Sequence, residues 1–508
     1  MRYLAASTLV LVLTTPAMAQ DKPDAVALTV YSTARPGAIP ADLYRPSPSG
    51  VTYGGPSIPG YAVVKQERQI ALDKQQSTVR FTDVAALIDP TTVVFESLTD
   101  PAGTSVIEQN YQFDLVSQAK LMERYIDREV TVERAIGDKI ETVSGTLLST
   151  SGGLVLQGKD GNVQVLNAYN AVRFPELPGG LITKPTLVWD IATKKPGAQR
   201  ARVTYQTGGI TWWADYNLTF AEGKNANSGT LDVNAWVSIL NQSGATYPDA
   251  GLKLIAGDVQ RAQPPQYEDR MMRSKMAMAA EVAQTGFEEK AFFEYHLYTL
   301  GRSTTLPDNS TKQIELFPPV SNVPADKVLV YHGLPSGFPG FFADPVTDRN
   351  LGLQMNKKVD VYLRFKNTKE AGLGVPLPSG RIRVNKVDPA DKSLEFIGED
   401  TIDHTAKDEQ VLIKLGNAFD VVGERKQTDF KVDTARDTME ETIEIVLRNH
   451  KAEPVQVLVK ENLYRWVNWQ ITQSTAKYEK LDARTVQFPI DVAKDGEATL
   501  SYTVKYTW

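Results

Sequence analysis

Cysteine is absent from all 508 residues, which excludes disulfides, thiolate metal ligands, a cysteine nucleophile and lipid attachment to a cysteine. Stability must therefore come from packed cores alone. Histidine is scarce as well: His296, His332, His404 and His450 are widely separated, and none stands in the HExxH or HxH spacing of a metal centre. The chain holds no GxSxG nucleophile elbow, no Walker-type phosphate loop and no GxGxxG turn following a strand. Nothing approaches the ~18 to 20 uninterrupted apolar residues of a transmembrane helix. An excess of charge of one sign is also missing, since 55 basic and 61 acidic residues leave a net charge of only −6. Signs so interspersed give no electrostatic footprint for nucleic acid or an anionic membrane. The expectation is no catalytic residue, no metal, no cofactor, no nucleic-acid partner and no transmembrane segment.

What the chain has in abundance is alternation. Ile210, Trp212, Tyr216, Leu218 and Phe220 share one parity, and Leu231, Val233, Ala235, Val237 and Ile239 share another, which is the strand period. A third run, Leu252, Leu254 and Ala256, follows, so 208–259 reads as a three-stranded antiparallel meander. Adjacent Trp212 and Trp213 must point to opposite faces, one into a core and one to solvent or another layer. The fold class expected is all-β with one or two short helices, arranged as several antiparallel sandwiches.

Residues 1–19 read as a secretory signal, with Arg2, the apolar run Leu4 to Leu13 and the small-x-small site Ala17-Met18-Ala19. Export to the periplasm or beyond is the corresponding expectation. Residues 20–114 then form part of an N-terminal β-sandwich around a Pro/Gly-rich loop at 34–60. Residues 115–178 suggest an inserted small barrel of the SH3 or Sm type: the apolar spacing of Leu115 to Ile126 fits a short helix, and five short strands with Gly-bearing turns follow. Residues 179–435 are assigned to a central β-sandwich with a flexible insertion at 260–289. The regular strands of 436–508 predict an immunoglobulin-like ending.

Candidate site residues are few. Met271, Met272, Met276 and Met278 offer soft thioethers to copper(I), or else belong to a flexible insertion. The loop GLPSGFPGFFADP carries Phe338, Phe341 and Phe342, which form either a contact patch or a plug between two sandwiches. Glu399, Asp400, Asp403, Asp408 and Glu409 make the densest acidic cluster, a calcium candidate without EF-hand spacing. Trp213, with Trp212, Trp236, Trp466 and Trp469, could present stacking platforms for sugars, although core placement is the commoner fate of tryptophan in a sandwich.

The run GGITWWADYNL followed by LDVNAWVSILNQSGATYPDAGLKLIAGDV resembles the opening of the bacterial domain of unknown function 4139. FEYHLY, LPSGRIRV, FIGED and SYTVKY follow in the same order, and VIEQNYQFDL, GTLLST and FPELPGGL resemble the region preceding that domain. The resemblance implies an exported, mostly β protein whose biochemical role is not established. Some relatives bear the name mucoidy inhibitor and carry a coiled-coil-like N-terminal portion, of which this chain has no heptad trace. Three functions are open at this point: a non-catalytic envelope protein that binds or scaffolds another envelope protein or a glycan, a carbohydrate-binding or polysaccharide-acting protein, and a methionine-based copper(I) binder. Sequence leaves the oligomeric state open.

Overall fold

The computed structural model describes residues 17–18, 23–32, 39, 58–137, 139–223, 225, 227–257, 259, 287–292, 295–334, 342–353, 356–388 and 390–508. The fold is all-β, with one α-helix among the described residues, Gln118–Arg124, capped by Ser117, whose side chain accepts from the Lys120 amide. No helix there is long and apolar enough to cross a membrane. Three hydrophobic cores organise the sheets.

The first core is enclosed by three sheets, two of which come largely from the N-terminal part of the chain. One places Gln76–Thr82, Thr186–Thr193 and Thr104–Gln112 side by side, and the other runs through Ala25–Ser32, Gly60–Leu72, Gly197–Thr207 and Ile88–Ser97. Alternate residues meet between the layers: Val79, Phe81, Trp189 and Ile191 from one, Val64, Val203 and Tyr205 from the other, all buried. Trp189 keeps its indole N–H satisfied by donating to Gln109 Oε1 at 2.8 Å.

Between Gln112 and Thr186 the chain leaves to build a separate small body. Glu129–Ile136, Lys139–Ser149, Leu154–Gln157, Val163–Leu166 and Ala171–Arg173 form one antiparallel sheet around Met122, Tyr125, Val132 and Leu156. The five strands were expected to close into a barrel. The sheet instead stays open, because Val163–Leu166 and Ala171–Arg173 lie at its two ends and do not pair.

Ile210–Glu222 and Ser228–Asn241 pair antiparallel, from Ile210↔Asn241 to Glu222↔Gly229. The expected meander ends there. Tyr247–Ala256 crosses to the other layer, pairing parallel with Ala25–Ser32 (Leu252↔Leu28) and antiparallel with Tyr295–Leu300. Ser228–Asn241 takes Ser310–His332 as its second neighbour instead. The crossing is anchored by Asn241, whose buried Nδ2 donates to the carbonyls of Ala245 and Leu306. It also closes the layers over Trp212, whose Nε1 donates to Ile255 O at 3.3 Å.

Two strands are unusually long, Ser310–His332 and Gln410–Asp433. Each enters the first core at one end and the C-terminal core at the other, with Leu316 and Ile413 in the first and Tyr331 and Val421 in the second. The C-terminal core is completed by Thr438–Asn449, Val455–Asn462, Thr485–Val492 and Gly496–Thr507, whose inward residues include Ile443, Val457, Phe488 and Tyr502. This sandwich therefore extends beyond 436–508 by borrowing the ends of earlier strands.

Candidate functional site

Where the long strands pass into the C-terminal sandwich, five strands lie next to one another: Thr485–Val492, Val455–Asn462, the end of Ser310–His332, Lys358–Lys366 and Gln410–Asp433. One face of this segment is core. Val457, Val459, Tyr331, Val359 and Phe488 all point that way. Strand alternation then requires the intervening residues to face outward, and toward one end of the segment those residues are polar: Lys460 and Asn462, His332, Lys358, Asp360 and Tyr362. Together with Lys414, Asn417, Asn356 and Thr485 they line a groove of about 620 Å³. At ~4.8 Å between neighbouring strands it runs across some ~19 Å of sheet.

The charges in the groove are unequal in freedom. Asp360 is buried, accepting from Asn417 Nδ2 at 2.6 Å and from Lys414 Nζ at 2.9 Å. The hydrogen bond to Asp360 raises the Lys414 ammonium above its ordinary value, so that this cation is committed. Lys358 and Lys460 form no ion pair among the described residues. Burial pushes the His332 imidazole below its ordinary value of 6.5, with Lys460 and Lys414 adding to the effect and Asp360 opposing it. Asn356 braces the row by donating from Nδ2 to His332 O at 3.0 Å and accepting from the Lys358 amide at 3.0 Å. Asn462 Oδ1 is buried with no hydrogen-bond partner among the described residues, an acceptor lacking a donor at the groove wall.

The residues singled out from sequence fall elsewhere. Trp212 is buried, while Trp213 lies half-buried on the outer face of the central sheet. There its Nε1 donates to Asp215 Oδ2 at 2.7 Å, and Asp215 is also bound by Ser238 Oγ at 2.8 Å and approached by Arg381 at 3.4 Å. Trp213 is thus fixed by a polar cluster rather than presented as a free platform. Phe342 is half-buried, with its ring 6.4 Å from that of Tyr464. Phe338, Phe341 and Met271 to Met278 lie outside the described residues, so the thioether site has no structural account. The acidic cluster is dispersed into local bonds: Glu399 pairs with Arg383 at 3.0 Å, and Asp400 accepts from the Lys414 amide at 2.7 Å. Among the described residues no three His, Asp or Glu side chains gather as metal ligands. Of the four histidines, His332 alone lines the groove.

Sequence reasoning missed the groove because its residues come from five strands and share no spacing. The readable signal was narrower: Lys358, Asp360 and Tyr362 alternate with Val359 and Val361, so they had to share one face of their strand.

No family model matches the chain, and no curated protein matches it.

Proposed function

We propose that the chain is a non-catalytic binding protein of the bacterial envelope, with the five-strand groove as the seat for a glycan. The observation that carries this reading is the groove's lining, in which amides, a hydroxyl, a phenol and uncommitted ammonium groups alternate along an open trough on a rigid sheet. Such a surface suits a polyhydroxylated chain laid across the strands. Binding is favoured over cleavage because glycoside hydrolysis uses a pair of carboxyl groups flanking the bond, and the groove's described lining has one, Asp360, already held by Asn417 and Lys414. The resemblance to the domain of unknown function 4139 and the leader-like residues 1–19 support an exported setting.

Isothermal titration of the purified chain against a panel of neutral and acidic oligosaccharides tests the reading. At least one class binds, and Asn417→Trp, which fills the groove from an exposed strand position, abolishes that binding while leaving the circular dichroism spectrum unchanged. Absence of heat with every oligosaccharide at millimolar concentration would refute it.

A further inference from the structure

Across three neighbouring strands the groove presents a row of cationic or cationisable side chains. His332 stands in parallel register with Lys460. On its other side, Tyr331 pairs with Val359, which sets Lys358 beside His332 one residue further on. Lys358 and Lys460 are therefore two strand spacings apart, about 10 Å, on the same face. Neither ammonium group is consumed by an ion pair among the described residues, whereas Lys414 is bound to Asp360. Resting on the glycan reading above, we propose that the groove selects saccharides bearing carboxylates, held by Lys358 and Lys460, with the sugar hydroxyls met by Thr485 and Tyr362.

The arrangement favours a carboxylated sugar over a bare phosphate. Phosphate seats gather several donors on one point, through arginine forks or successive backbone amides. Here two point charges are spread along the sheet, separated by an imidazole and interleaved with groups that pair with hydroxyls. That pattern matches charge repeated along a hydroxylated chain.

Isothermal titration with tetragalacturonate, its fully methyl-esterified neutral form and inorganic phosphate separates the possibilities. The acid form binds about tenfold more tightly than the ester at low salt, and the difference shrinks as ionic strength rises. Lys358→Gln and Lys460→Gln each weaken binding of the acid about five- to tenfold and leave ester binding unchanged, while Lys366→Gln, outside the groove, changes neither. Circular dichroism of each variant shows that the fold persists. Equal affinity for acid and ester overturns the carboxylate selection and leaves the glycan reading standing. Failure of every saccharide overturns the glycan reading itself. Displacement of tetragalacturonate by equimolar phosphate overturns the proposal in favour of a simple oxyanion seat.

Discussion

Arg465 Nε donates to Glu441 Oε2 at 2.7 Å, and neither side chain is more than 2% exposed. The remaining guanidinium hydrogens reach the carbonyls of Val346, Asp348 and Leu351 and the Gln427 side chain, and the guanidinium lies 4.4 Å from the centre of the Phe430 ring. Tyr506 supplies a second donor to Glu441. This buried pair joins the C-terminal sandwich to the segment that leads back toward Asn356 and the groove.

Glu441→Gln keeps the shape and removes the charge, which leaves the Arg465 cation buried without a counter-ion. Breaking a buried pair from one side costs about 3–5 kcal/mol. Urea unfolding followed by circular dichroism should show the loss, and Arg465→Met should additionally open 342–352 to limited proteolysis, since three carbonyls there lose their donor. Unchanged unfolding midpoints in both variants would mean that the pair contributes nothing to stability.

A more exposed pair gives the acid response. Hydrogen bonds from Arg448 and then Lys426 hold the Glu424 carboxyl at about 2, against an ordinary value of 4.5. Because the folded state is the weaker proton acceptor, this contribution is in place above about pH 4.5 and is lost as pH falls toward 2. Glu424→Gln should flatten the dependence of the urea midpoint between pH 5 and pH 2. Parallel curves for the variant and the wild type would show that the carboxylate is not held as described.

The alternation of Ile443, Ile445 and Leu447 was legible in the sequence, and the structure buries all three against Tyr502 and Leu500. The division of labour between Trp212 and Trp213 was also legible, because a strand leaves adjacent side chains no other choice. Leu252, Leu254 and Ala256 were recognisable as a strand but not as one that crosses layers. Their partner Leu28 lies near the start of the chain, and alternation reports the faces of a strand without naming its neighbours. The same limit hid the groove: Lys460 and His332 lie on two strands far apart in sequence, and only the parallel register makes them adjacent. Ser310–His332 runs through Pro318 and Pro319, residues that ordinarily interrupt a strand. The register with Ser228–Asn241 shifts between Val233 and Ala235, opposite Val320 and Phe317, so the prolines occupy an irregular stretch.

His332 is the titrating group of the groove. Asp360, Lys414 and Lys460 act on it from the neighbouring strands, Lys358 and Tyr362 line the same face, and Glu461 lies behind. A depressed histidine value means that the unfolded chain binds the proton more readily. Stability from this residue is therefore complete above 6.5 and declines as pH falls from there toward the folded value. An NMR titration should place the His332 midpoint below 6.5, and Lys460→Gln should move it upward by removing a neighbouring cation. A midpoint unaffected by that substitution would show that Lys460 does not face the ring.

The small open sheet is attached in a way that permits its removal. Thr104–Gln112 and Thr186–Thr193 are antiparallel neighbours, and Gln112 stands directly opposite Thr186, so the two ends of the inserted segment are about 5 Å apart. Its core of Met122, Tyr125, Val132 and Leu156 is separate from the one that buries Trp189 and Ile191. Joining Gln112 to Thr186 through Asn-Gly in place of 113–185 should convert the pair into an ordinary hairpin, because that dipeptide suits a two-residue turn with positive φ. The shortened chain should retain a cooperative urea transition with its midpoint near that of the full chain, and it should keep the groove's binding, whose residues all lie after 331. A broad transition or loss of folded signal would show that the inserted segment braces the first sandwich, through contacts such as the Lys184–Asp83 ion pair at 3.3 Å, rather than hanging from it.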